Sequence, residues 1–118
     1  MLNSIDIIGK ILTDLELKKT SSESNTVTFR IACPRDHVKP GEERITDIFT
    51  ATAFGSNATY IVNNFVKGSW IGITGRLESY TPKNSTREHS AVKIRVLSAS
   101  LTGEFRDADP NLFDNNNR

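Results

Sequence analysis

Apolar and polar residues alternate with a period of two along most of this chain. In the first segment Ile5 and Ile7 share one face, and Asp6 and Ile8 share the other, until Gly9 interrupts the pattern. Such alternation is typical of a half-buried strand. A glycine inside it predicts a bulge that bends the strand.

Three later segments alternate in the same way, namely residues 27–33, 69–80 and 91–101, and residues 45–54 are rich in β-forming side chains. Pro34 ends the first of these segments, because proline has no backbone N–H to donate to a neighbouring strand. The positions predicted to face the core are Val27, Phe29, Ile31, Ile71, Ile73, Gly75, Leu77, Val92, Ile94 and Val96. The chain therefore contains five predicted strands.

One segment has helical spacing instead. Its apolar residues are Ala58, Ile61, Val62 and Phe65. Ser56 or Asn57 is the predicted N-cap, since short polar side chains satisfy the free N–H groups of a first helical turn. Lys67 and Gly68 are the predicted C-terminal signal.

The element order predicts an all-β protein with one helix. Three strands, a helix and two more strands is the order of the OB-fold, a five-stranded Greek-key barrel with a helix between strands 3 and 4. Two charged loops, residues 34–44 and 81–88, leave the barrel. Residues 1–105 form the predicted domain. Residues 106–118, rich in Asp and Asn, form a predicted disordered, mildly acidic tail.

Composition narrows the class of protein. The 118 residues are 36% hydrophobic and 25% charged, with a net charge of +1. Apolar runs are too short to span a bilayer and no export signal is visible at the start, so we expect a cytoplasmic protein without membrane contact. Phosphate binding depends on local basic clusters, so the low net charge does not argue against a nucleic-acid ligand.

Catalytic and metal-binding motifs are missing from the sequence. Cys33, His37 and His89 lack metal-ligand spacing, and Asp36 beside His37 has no nucleophile near it. No phosphate-cradling glycine loop is present either. We expect no enzyme activity, no cofactor and no small-molecule substrate.

Several stretches resemble the bacterial and phage single-stranded-DNA-binding protein family over about residues 1–105. They are Met1-Leu2-Asn3, residues 7–11, Asp14 to Lys18, residues 28–32, Phe54-Gly55, and Phe65 to Ser69 followed by Gly72 to Leu77. The resemblance implies binding of single-stranded DNA in replication, recombination and repair, by a homotetramer. The short chain without a glycine- and glutamine-rich linker is more similar to phage-encoded members, which act in an infected host cell.

Binding of single strands without sequence specificity combines a basic groove with platforms that stack bases. The candidates for phosphate contact are Lys10, Lys18, Lys19, Arg30, Arg35, Lys39, Arg76, Lys83, Arg87, Lys93 and Arg95. The candidates for base contact are His37, Ile48, Phe49, Phe54 and Tyr80, of which His37 and Ile48 occupy positions where the family has aromatic residues. Arg30 and Arg76 have non-core parity and should reach the barrel surface.

Two further sites are predicted. An outer face with Ser4, Asp6, Trp70 and Gly72 could pair subunits, although Trp70 could instead stack a base. In the tail, Asp107, Asp109, Leu112 and Phe113 have the chemistry with which the family recruits replication and recombination proteins.

Two alternatives remain open. A primosome-type OB protein would act mainly through protein contacts and bind DNA weakly. An RNA-binding OB module would prefer folded RNA over single-stranded DNA.

Overall fold

Five long strands form a closed barrel, and one helix packs against it. The computed structural model describes residues 2–36, 39–82 and 91–102. The elements are β1 (Ile5–Ile11), β2 (Lys18–Lys19), β3 (Asn25–Pro34), β4 (Thr46–Phe54), α1 (Gly55–Asn64), β5 (Trp70–Tyr80) and β6 (Ala91–Leu101).

The strands lie in the order β1-β5-β6-β4-β3, and a second pairing of β1 with β3 closes the ring. The β4–β6 pair is parallel and the others are antiparallel, while the two-residue β2 extends the sheet beside β3. The helix follows β4, the third of the long strands. This arrangement confirms the predicted OB-fold barrel.

Barrel closure depends on a close approach at Gly9. The register of β1 with β5 runs unbroken across this residue, with Gly9 opposite Ile71, so the predicted bulge at Gly9 is wrong. A Cβ atom at Gly9 would lie 2.6 Å from the carbonyl oxygen of Ala32 and 2.6 Å from Ile31 Cγ1. Glycine is needed here because β3 must come close enough to pair with the end of β1.

The irregularity lies in β6 instead. Thr74 of β5 pairs with Ser98, while the next residue, Gly75, pairs with Val96, so Leu97 is an extra residue in β6. A Cβ atom at Gly75 would overlap the carbonyl oxygen of Arg95 and lie 3.0 Å from Ile94 Cγ2. The absence of a side chain at Gly75 lets β5 and β6 approach closely beside the bulge.

Most of the predicted core residues fill the barrel interior, together with Ile11, Ala51 and Ala53. Its largest fully buried side chains are Phe29, Ile11, Ile31, Ile61, Ile71, Ile94 and Val27. Ala58 and Ile61 are the buried residues of α1, which contacts β3, β4 and β6. Cys33 packs half-buried against this core. Burial, with a smaller contribution from Asp47, raises the pKa of its thiol.

The helix ends differ from the predicted ones. The helix begins at Gly55, and Phe54 occupies the N-cap position without a capping side-chain hydrogen bond. The amide of Asn57 donates to the carbonyl oxygen of Leu97 at 3.1 Å, so it joins α1 to β6 rather than capping the helix. At the other end α1 stops at Asn64. Gly68 lies in the turn that leads to β5, where its N–H donates to the Ile11 carbonyl at 2.8 Å.

Two side chains predicted to face the core are exposed. Leu77 is 45% exposed and Val92 is 60% exposed. Both have core parity, but the paired part of β1 ends opposite Gly75, so β5 and β6 continue beyond it as a two-stranded arm. Side chains on the inner face of this arm therefore project beyond the barrel core.

We predict that Gly75→Ala destabilises the protein by about 1–3 kcal/mol, because the added methyl group forces the β5 and β6 backbones apart. Urea unfolding followed by circular dichroism would measure the change. Ser79→Ala in the same strand is the control, since Ser79 is an exposed small residue away from the bulge and from the predicted subunit face. Equal destabilisation by both variants would contradict this account.

Candidate nucleic-acid interface

Strands β3 and β4 present a polar outer surface because their core side chains alternate with outward ones. Register pairs on this surface place Arg30 opposite Thr50 and Ala32 opposite Ile48. Further along, Thr28 lies opposite Thr52, and their hydroxyl oxygens are 3.2 Å apart in a hydrogen bond. The surface is therefore lined by hydroxyl groups, with one arginine and one exposed isoleucine among them.

The same surface continues onto β6 and β5. The parallel pair places Thr52 beside Arg95, and the antiparallel pair then places Arg95 opposite Arg76. We call this continuous outer surface the basic face. Its members are Thr26, Thr28, Arg30, Ala32, Ile48, Thr50, Thr52, Phe54, Arg76, Glu78, Tyr80, Lys93 and Arg95.

Two cations on the basic face lie over aromatic rings. The guanidinium carbon of Arg95 is 4.2 Å from the centroid of the Phe54 ring. The ammonium nitrogen of Lys93 is 5.4 Å from the centroid of the Tyr80 ring. Both distances are within the range of attraction between a cation and the negative face of an aromatic ring. Cationic and aromatic side chains thus occur side by side on this face.

Glu78 lies among these cations. Its Oε2 atom accepts hydrogen bonds from Arg76 Nε at 3.0 Å and Arg76 Nη2 at 2.7 Å. Arg95 Nη1 lies 3.6 Å from the same oxygen. The hydrogen bonds from Arg76 hold the pKa of the Glu78 carboxyl below its ordinary value, against a smaller opposing effect of burial. The carboxylate is therefore ionised at neutral pH.

Arg35 holds the base of the loop between β3 and β4. It donates through Nε and Nη2 to the two carboxylate oxygens of Asp47 at 2.9 and 3.0 Å. Its backbone N–H donates to the Ile45 carbonyl at 2.9 Å, and Arg44 Nη1 donates to the carbonyl oxygen of Arg35. The side-chain hydrogen bonds from Arg35 lower the pKa of the Asp47 carboxyl. Arg35 thus has a structural partner in the free protein.

A groove beside Phe54 contains residues that the sequence analysis missed. It is lined by Thr20, Ser22, Ser24, Phe54, Gly55, Ser56 and Arg95. The threonines of the basic face, such as Thr50 and Thr52, were also missed. The sequence pattern could have identified them, because these threonines alternate with alanines along β4 and have the parity of outward-facing positions.

The remaining predicted DNA-binding residues lie elsewhere. Lys10 borders the basic face on β1, where it pairs with Ala32 and Trp70. Lys18 is exposed and lies 3.5 Å from Glu16, while Lys19 is exposed on β2 and Lys39 in the loop. Phe49 has core parity opposite Ile31, although it is 37% exposed.

Some predicted site residues lie outside the described residues. They are His37, Lys83 and Arg87, and the tail residues Asp107, Asp109, Leu112 and Phe113.

The predicted subunit face occupies the outer side of β1, β5 and β6. Thr74 donates a hydrogen bond to the Asp6 carboxylate at 2.7 Å. A shallow pocket here is lined by Asp6, Ile7, Ile8, Gly72, Ile73, Thr74 and Ser100. Ile8 is 48% exposed opposite Gly72. Ser4 is exposed just before β1, and Trp70 is half-buried at the start of β5.

Two other features are missing from the described ranges. No cluster of three or more His, Cys, Asp or Glu side chains there could hold a metal ion. Across the same ranges, no helix combines the length and apolar character that crossing a membrane requires.

Comparison with known proteins gives consistent matches. The model of the Single-strand binding protein family matches residues 2–102. A single-stranded DNA-binding protein of Streptococcus mutans is 28% identical over 123 residues, covering 99% of this chain and 75% of that protein. One from Staphylococcus epidermidis is 29% identical over 121 residues, covering 98% of this chain and 91% of the relative.

A solved structure supports the fold. The single-stranded DNA binding protein of Thermus aquaticus superposes with a TM-score of 0.70 at 19% sequence identity. The match covers 84% of this chain but only 49% of the Thermus chain, so this chain spans about half of that protein.

The lowered pKa values of Asp47 and Glu78 predict acid sensitivity. Because each folded-state pKa lies below its ordinary value of 3.8 or 4.5, each ion pair stabilises the fold above that value. The stabilisation is lost as pH falls through the folded pKa. For this reason we expect the melting temperature to decrease as the pH is lowered below about 4.5.

Thermal melts of the wild type and an Asp47→Asn/Glu78→Gln variant between neutral pH and acid would measure this effect. The variant should melt lower at neutral pH and lose less on acidification, because it lacks two of the titrating groups. An equal acid loss in both proteins would contradict the assignment.

Proposed function

This chain belongs to the single-strand binding protein family, and from that premise we propose that it binds single-stranded DNA on the basic face without sequence specificity. Protection of single strands during replication, recombination and repair is the proposed role. The protein would act in the cytoplasm of a bacterial or phage-infected cell. The proposal contains no catalytic step and requires no cofactor.

The observation that carries the proposal is the pairing of cations with aromatic rings on one continuous surface. Arg95 over Phe54 and Lys93 over Tyr80 lie on the same side of the barrel as Arg30. Single-strand binding without sequence preference needs this combination, because phosphates recur along the backbone and every base has a π-face.

The two kinds of side chain have different proposed roles. Arg30, Arg76, Lys93 and Arg95 contact phosphates, while Phe54 and Tyr80 stack bases. Ile48, 48% exposed next to these groups, offers an apolar contact to a base but no π-stacking. Stacking is therefore concentrated toward the β4 end and the β5–β6 arm, rather than spread evenly over the basic face.

A homotetramer is the proposed assembly, with the outer side of β1, β5 and β6 as one subunit contact. Ile8 and Gly72 support it, because an exposed isoleucine next to a glycine provides a flat apolar surface. Aromatic residues such as Trp70 are enriched in subunit interfaces.

Oligothymidine titration tests the DNA-binding function directly. The fluorescence of Trp70 and the tyrosines reports the binding. We expect tight, length-dependent binding that weakens steeply with salt and is absent for matched duplex DNA. Phe54→Ala should lose about 1–3 kcal/mol of binding free energy by loss of stacking. Arg30→Ala should weaken binding and reduce the salt slope by about 0.7.

Lys67→Ala is the matched control, since Lys67 is exposed beyond the end of α1 and is not on the basic face. It should bind like the wild type. No binding to oligothymidine at low salt would overturn the proposed function. The two alternatives would then be tested by pull-down of replication proteins and by titration with folded RNA.

Ile8→Glu tests the subunit contact. A buried carboxylate in the contact would face the apolar surface of a second subunit without a partner, so we expect dissociation to smaller species. Sedimentation equilibrium should give four chains for the wild type and fewer for the variant. Leu17→Glu, at another exposed position outside this face, should keep the wild-type state. A variant tetramer would show that the contact lies elsewhere.

A further inference from the structure

The carboxylate of Glu78 is engaged by two arginines of the basic face. One oxygen, Oε2, lies 2.7 Å from Arg76 Nη2 and 3.6 Å from Arg95 Nη1. The two arginines are direct register partners across β5 and β6. A single oxygen therefore bridges guanidinium groups from neighbouring strands.

The bridge also affects the aromatic platform. Arg95 lies 4.2 Å over the Phe54 ring while it is drawn toward Glu78. A base that stacks on the Phe54 face must therefore displace this guanidinium or stack on its outer plane. The position of Arg95 links the acidic group on β5 to the stacking residue on β4.

Glu78 is the only acidic side chain on the strand positions that make up the basic face as the structure describes it. The cations there are Arg30, Arg76, Lys93 and Arg95, and Lys93 is the register partner of Glu78. The Glu78 side chain is 24% exposed, compared with 50% for Arg76 and 36% for Arg95. DNA phosphates can thus approach the two arginines from solvent while the carboxylate lies partly covered.

We propose that Glu78 competes with the DNA backbone, because its carboxylate holds Arg76 and Arg95 in the free protein and a phosphate must replace it at these guanidinium groups. A phosphate oxygen offers the same charge-assisted hydrogen bonds as a carboxylate oxygen, so the exchange keeps both arginines paired. Glu78 thereby sets the affinity and salt sensitivity of the basic face without touching DNA itself. This inference rests on the proposed function.

Glu78→Gln separates this role from a merely structural one. The neutral isostere keeps the size of the side chain and removes the charge that competes with phosphate. We expect oligothymidine to bind about twofold to tenfold more tightly at low salt, because up to two surface ion pairs no longer need to be exchanged. The salt slope should steepen by up to about 0.7, the value of one phosphate charge, because Glu78 no longer offsets one of the positive charges that the DNA backbone neutralises.

Two further proteins complete the experiment. Glu42→Gln removes the same charge from an exposed loop position and should change neither affinity beyond twofold nor slope. In an Arg76→Gln background, Glu78→Gln should give a smaller gain, because one of the arginines it would release is missing.

The possible outcomes distinguish the role of Glu78 from the proposed DNA-binding function. Tighter binding with a steeper slope supports the competition. Weaker binding by Glu78→Gln, or an unchanged slope while the wild type binds normally, would overturn the competition and leave the proposed function intact. A wild-type protein that does not bind oligothymidine would overturn both.

Discussion

Pairing of β1 along both of its edges is the constraint on which the rest of the structure depends. Within seven residues this strand must pair with β5 and, at its end, with β3. The second pairing requires a backbone approach that excludes any side chain at Gly9. Once the ring is closed, none of the five long strands can slip by a residue without moving its apolar side chains out of the core.

The fixed register then determines the surface. Because β4 and β6 are parallel partners, Thr52 and Arg95, which are 43 positions apart in the chain, lie side by side on the outer side of the barrel. The adjacent antiparallel pair adds Arg76 to the same row. The basic face is therefore a consequence of barrel closure, since each neighbouring strand contributes its outward side chains at a height set by the register.

Much of this could be predicted from the sequence because a period of two encodes which side of a strand is buried. Parity alone placed Phe29 in the core and Arg30 on the surface. It could not give the neighbours of a side chain, such as Arg95 over Phe54, because those depend on a parallel pairing between distant segments. It also failed for Leu77 and Val92, since parity does not show where the barrel ends and the arm begins. The partner of Arg35 was equally invisible, because a count of basic residues does not show which of them form ion pairs.

The clustering of cations on the basic face explains how a protein with a net charge of +1 can bind a polyanion. Affinity for nucleic acid follows the number of phosphate contacts and the counterions they release, not the total charge. Exposed ion pairs contribute little to stability, so exchanging a carboxylate for a phosphate at a guanidinium is nearly neutral in direct energy. The counterions released from the DNA remain as the favourable contribution. An arginine that is paired in the free protein is therefore still available to DNA, although its internal carboxylate lowers the affinity, and ionic strength controls when the exchange occurs.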